Sequence, residues 1–176
     1  SATWANQANA AIVAADQDFG SCLEINKVED TTRIRFMGET PILPGTYLRI
    51  SARVKAISGP RPTVRIGGWA GDGARNHVTG LDELGDNVAL PDYGDVVEVS
   101  AIVGTGNRRG VDMIWGAAPI YGHFGIDLIG TNGGAVRIES LRIEDVTSVF
   151  LREMMDIVDV RDYGAVGNGT TDDHAA

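Results

Sequence analysis

Cysteine is nearly absent: Cys22 is the only one in 176 residues, so no disulfide forms within the chain, and no Cys/His spacing of the zinc-binding kind exists. Disulfide scaffolds and zinc fingers are excluded, and the redox compartment stays open. Basic residues are also scarce. Fifteen Lys and Arg face 24 Asp and Glu, a net charge of −9 that repels phosphate backbones and anionic lipid heads and argues against nucleic-acid or membrane-surface partners. Long apolar runs are missing too. The longest uncharged hydrophobic stretch, Met113 to Ile126, has 14 residues and is broken by Gly116, Pro119, Gly122 and Gly125, so no membrane span is expected. The chain opens on Ser1 with no basic residue before Lys27, and no signal or transit peptide is expected; a processed protein and an excised fragment both fit. Among the three histidines, His77, His123 and His174, none belongs to an HExxH motif or a Ser/His/Asp order. No catalytic residue is assigned, and carboxylate pairs for glycoside hydrolysis are not readable from spacing.

What is abundant is glycine, 23 residues, set singly between short apolar runs. That is well above the usual ~7% and implies many tight turns. Between Thr46 and Ile57 the apolar set Leu48, Ile50, Ala52, Val54, Ala56 alternates with polar residues, a period of two that fits a strand with one face buried. The same alternation appears in Cys22 to Val28 and in Thr31 to Met37, where Ile34 and Phe36 oppose Arg33 and Arg35. Thr63 to Trp69, Val96 to Val103, Val111 to Trp115, Gly125 to Ile129 and Ala135 to Ile143 complete about eight strands. Leu48, Ile50, Val54, Val97, Val99 and Ile138 are the expected core, and Asn132-Gly133 gives a hairpin signal. Trp4 to Ala15 is Ala-rich and fits helix or coil. No repeat of 20 to 50 residues suggests a solenoid in 1–147. The expected fold is all-β, a two-sheet jelly-roll sandwich of antiparallel strands over 1–147.

The composition changes after Thr147. Residues 148–156 read as a linker. The segment 157–176 reads as a strand, a Gly-rich turn and a helix start capped by Thr171, with Asp172 and Asp173 at the positive end of the helix dipole. A helix starting at Asp172 has five residues left, too few to recover its nucleation cost, so the chain is expected to be a truncation. The run Asp162-Tyr163-Gly164-Ala165-Val166-Gly167-Asn168-Gly169-Thr170-Thr171-Asp172-Asp173-His174-Ala175-Ala176 resembles the D-Y-G-A-x-G-D-G-x-x-D-D-x-x-A entry of the pectate lyase superfamily of right-handed parallel β-helices. It departs at Asn168, where that family has Asp. The family includes polygalacturonase-like hydrolases, polysaccharide lyases and phage tailspikes. The resemblance therefore implies a parent protein that acts on or binds polysaccharide, extracellular or virion-associated, with a homo-oligomer through the β-helix left open.

The body is similar in pattern to jelly-roll carbohydrate-binding modules of galactose-binding-like topology. That likeness rests on strand count, on Gly125-Ile126-Asp127-Leu128-Ile129 and on the closing run Val136 to Val146. It implies a non-catalytic carbohydrate-binding accessory domain; the alternative is a structural or oligomerisation domain that orients the β-helix without a ligand. Candidate sugar contacts follow from chemistry, since a sugar offers an apolar ring face and a rim of hydroxyls and is met by an aromatic with a few fixed polar groups. If Val64, Ile66 and Gly68 face the core, Arg65 and Trp69 are exposed together, and Trp69 leads into a polar loop with Arg75 and His77. A second loop carries Tyr121 and His123. One concave site and two unrelated loops both fit. Trp69 as core closure also fits, and Trp115 shares parity with Val111 and Met113, which points inward. Asp82, Glu83, Asp86, Asp92 and Asp95 cluster without EF-hand spacing, which reads as a solvated loop and leaves a structural calcium open; no other cofactor is expected.

Overall fold

The computed structural model describes residues 2–3, 9–154 and 168–170. Its strands, in chain order, are β1 (Ala2–Thr3), β2 (Asn9–Asp16), β3 (Gly20–Asn26), β4 (Thr31–Arg35), β5 (Thr40–Pro41), β6 (Tyr47–Ser58) and β7 (Thr63–Gly67). They continue with β8 (Ala70–Gly71), β9 (Val88–Ala89), β10 (Val97–Gly104), β11 (Met113–Ile114), β12 (Tyr121–Gly122), β13 (Gly125–Ile129) and β14 (Ala135–Asp145), and one helix, α1, spans Thr147–Met154. All eight expected segments contain a strand, although Val111 to Trp115 contributes only the two residues of β11. Two sheets pack face to face, one ordered β1-β4-β13-β7-β9 and the other β11-β10-β6-β14-β3-β2; a small third sheet, β5-β12-β8, closes one end.

Alternation decides which face is buried. Ile34, Val64, Ile66, Ile126 and Leu128 from the five-stranded sheet meet Ile25, Ile50, Val54, Val99, Val103, Val136 and Ile138 from the six-stranded one in a single core. Such a layered pair is what half-apolar strands form when each sheet must cover its apolar face. Five of the six expected core residues are buried, while Val97, near the open end of β10, is only partly covered. Trp115 is 1% exposed, as its strand parity indicated, and its indole N–H donates to the Asp82 carbonyl at 2.9 Å.

Several local expectations are corrected. Asn9–Asp16 is neither helix nor coil but an edge strand on β3, because alanines alternate as readily as they spiral when a partner strand supplies the hydrogen bonds. Asn132-Gly133 does not close a hairpin: β13 and β14 lie in different sheets, and the turn carries the chain across the sandwich. There Lys27, fully buried, gives its ammonium to the carbonyls of Glu29 and Gly130 and to Asn132 Oδ1 at 2.9 Å, and burial pulls its pKa below the ordinary lysine value. Phe36 is exposed and Arg35 buried, the reverse of the sequence expectation, because Arg35 finds a buried carboxylate and Phe36 lies just past the end of β4. Among the described strands the pairing is antiparallel except for β10 with β11, which run parallel. Residues 148–154 of the expected linker are helical: α1 begins at Thr147, whose N–H donates to Asp145 Oδ1 at 2.9 Å, and Phe150 is buried, stacked on Tyr47 at 4.4 Å. The stretch 157–176, apart from 168–170, lies outside the described residues, His174 with it.

Candidate functional site

The outer face of the five-stranded sheet is charged where its inner face is apolar. In register across β4, β13 and β7 stand Arg33, Asp127 and Arg65, with Arg35 one pleat further along β4. Asp127 is 0% exposed and Arg35 3%. Arg35 Nη2 lies 2.8 Å from Asp127 Oδ1, a charge contact without aligned hydrogen-bond geometry, and Arg65 Nε donates to Oδ2 at 3.0 Å. Arg35 Nη1 also donates to the carbonyls of Ile34 and Ile126 at 3.2 and 3.3 Å. Its guanidinium can lie this low because residue 67 is glycine; a β-carbon there would collide with it.

Beyond β7 the chain is held in place from two sides. Gly68 N–H donates to the Glu83 carbonyl, and Trp69 and His123 exchange main-chain hydrogen bonds at 3.0 Å. The adjoining strands β8 and β12 pair in register, Tyr121 with Gly71 and Gly122 with Ala70. Trp69 is thereby set among three rings: His77 stacked at 5.0 Å and 13°, His123 tilted at 5.3 Å, and Tyr121 at 6.1 Å. His77 arrives by a tight loop. Asp72 Oδ1 accepts the N–H groups of Ala74 and Asn76, which holds its carboxyl below the usual range, and Arg75 takes a positive φ of 65°. Glu83 Oε1 then fixes the loop's far side, accepting from Ala70 N–H at 2.7 Å and lying 2.8 Å from His77 Nε2.

Between floor and loop lies a cleft of about 660 Å³, floored by Arg33 and Arg35 and walled by Trp69, Asp82, Glu83, Leu84 and Asp112. Trp69 is half-buried, with an imidazole over its ring. A cleft with an indole edge, guanidinium donors and carboxylate acceptors matches the needs of a hydroxyl-rich ring.

The expected site residues divide accordingly. Trp69, His77, Tyr121 and His123 do gather in one place, so the two loops are not unrelated. Tyr121 and His123 are buried and serve as packing behind Trp69. Arg65, expected to be exposed, is 18% exposed and held on Asp127, while Arg75 points elsewhere and pairs with Glu39 at 3.3 Å. Of the acidic cluster, Asp82 and Glu83 line the cleft, and among the described residues no three His, Cys, Asp or Glu side chains converge to hold a metal ion. Arg33, Arg35, Asp127, Leu84 and Asp112 were not singled out from the sequence. The available signal was the lone carboxylate inside Gly125-Ile126-Asp127-Leu128-Ile129: an Asp in an apolar strand needs a cationic partner on a neighbouring strand.

No family model matches the chain, and no curated protein does. Solved structures do. The CBM22-1 xylan-binding domain of Xyn10C from Paenibacillus barcinonensis superposes with a TM-score of 0.54 at 12% identity, over 80% of this chain and 83% of that one. The chain shares the β-sandwich fold of that domain. A structure described as a carbohydrate-binding module of the β-sandwich superfamily gives 0.52 at 15% identity, over 81% of this chain and 56% of that one. The CBM22-1 and GH10 modules of Xyn10B from Clostridium thermocellum, complexed with xylohexaose, give 0.50 at 13% identity over 80% of this chain, which spans only 25% of that larger protein. At these identities the likeness concerns the fold.

Proposed function

We propose that this domain is a non-catalytic module that binds polysaccharide in the cleft above Arg33 and Arg35, with Trp69 as its apolar contact. The observation that carries the reading is the cleft itself: an indole, two guanidiniums and three carboxylates around about 660 Å³, on a fold shared with a domain described as xylan-binding. A structural domain without a ligand has no need for a half-exposed tryptophan at the mouth of a polar cleft. The Asp162 to Ala176 signature supports a β-helix as the module's neighbour in an extracellular or virion-associated protein. The test is affinity electrophoresis of the chain through gels containing neutral and acidic polysaccharides, then calorimetry on each polymer that retards it. Losing an aromatic contact of about 1–3 kcal/mol, Trp69→Ala weakens binding by roughly fivefold to a hundredfold. No retardation by any polymer in the panel overturns the reading.

A further inference from the structure

Resting on that reading, we propose that the cleft selects glycans that carry carboxylates, uronate residues, and that Arg33 is the group that recognises them. Three guanidiniums, Arg33, Arg35 and Arg65, surround one carboxylate on the outer face of the five-stranded sheet. Asp127 is shared by Arg35 and Arg65 and neutralises one charge between them. Arg33 stands in register with the same Asp127 but is exposed, and among the described residues it has no ion pair or side-chain hydrogen bond. Locally the floor is cationic, inside a chain whose net charge is −9. An exposed guanidinium with both donor edges free is shaped to grip a carboxylate through two parallel hydrogen bonds, a geometry that an ammonium does not reproduce. The buried surplus behind it adds a field screened less than that of surface charges.

The opposite wall sets the orientation. Glu83 is engaged by Ala70 N–H and His77, and Asp112 Oδ2 accepts the Ile102 N–H at 2.7 Å. With Asp82 beside them, these oxygens repel an anionic substituent and accept from hydroxyls. A uronate entering the cleft therefore turns its hydroxyl rim to the acidic wall and its carboxylate to Arg33. Arg65 and Arg75, the two arginines among the sugar contacts expected from the sequence, are already paired, with Asp127 and Glu39.

The experiment is calorimetry of the whole chain against polygalacturonate and alginate, each alongside the same polymer with its carboxyls reduced to alcohols, with neutral xylan as a further arm. The expected result is at least tenfold tighter binding of one or both native polymers than of the reduced forms. That preference shrinks as salt rises, is lost in Arg33→Gln and is only partly kept in Arg33→Lys. Because Arg33 is exposed, Arg33→Gln should keep the wild-type thermal midpoint, so that a lost preference reports on recognition and not on folding. Equal affinity for native and reduced polymers, binding of xylan alone, or an undiminished preference in Arg33→Gln overturns carboxylate selection and leaves glycan binding standing. Binding to none of the polymers overturns both.

Discussion

Asp127 is the residue on which the floor of the cleft depends. It sits fully buried between two guanidiniums, and removing its charge strands Arg35, itself almost without solvent. Breaking such a pair by deleting one partner costs on the order of 3–5 kcal/mol, because the remaining ion keeps its desolvation penalty and loses its compensation. Asp127→Asn is expected to lower the urea midpoint accordingly, with sugar binding falling as the floor collapses. The tryptophans separate two roles. Trp115→Ala empties the core and should destabilise by about 3–5 kcal/mol in the same assay, whereas Trp69→Ala should act mainly on binding. The alternation of Arg33 and Arg35 with Ile34 was legible in the sequence and assigned that face to solvent. What it did not carry was the partner: Arg35 meets Ile126 and Asp127 some 91 residues later in the chain, and a pattern within one strand says nothing about which strand lies beside it.

The β2–β3 hairpin is tied to the sheet through charge. Asp16 accepts from Lys55 Nζ and Arg137 Nη1, both at 2.7 Å, while Asp18 also contacts Lys55 and Glu24 contacts Arg137. Phe19 lies under the Lys55 ammonium at 4.8 Å. The Lys55 bond, then that of Arg137, holds the Asp16 carboxyl far below the ordinary aspartate range; Lys55, although burial opposes its charge, is raised by Asp16 and Asp18. A carboxyl depressed in the folded state contributes stability that is fully present above its unfolded pKa, about 4, and is lost as pH falls from there toward the folded value. Thermal melts of wild type and Asp16→Asn should therefore differ most above about pH 4 and converge as the solution is acidified. This hairpin was half legible. Cys22 to Val28 alternates plainly, but the alanines of its partner strand are equally at home in a helix, and only the pairing with β3 decides.

For the whole molecule, period two was enough to give an all-β sandwich, since eight amphipathic strands have few other ways to hide one face each. It was not enough to give the order of strands, nor the parallel seat of β11 on β10, because these are choices among edges that look alike in sequence. Asn132-Gly133 shows the same limit: the dipeptide specifies a tight reversal, and the sheets on either side decide whether that reversal is a hairpin or a crossing. The Lys27 contact at this crossing bears on the order in which the molecule assembles. Its ammonium joins the β3–β4 connection to Gly130, 103 residues away, so the closure forms only after nearly the whole sandwich exists as chain. Contacts of such long range are entropically costly early and belong on the native side of the folding barrier. Lys27→Met should then speed unfolding in a denaturant-jump experiment while leaving the refolding rate near that of the wild type. The buried lysine would thus act as a latch that closes last and governs how long the finished domain stays shut.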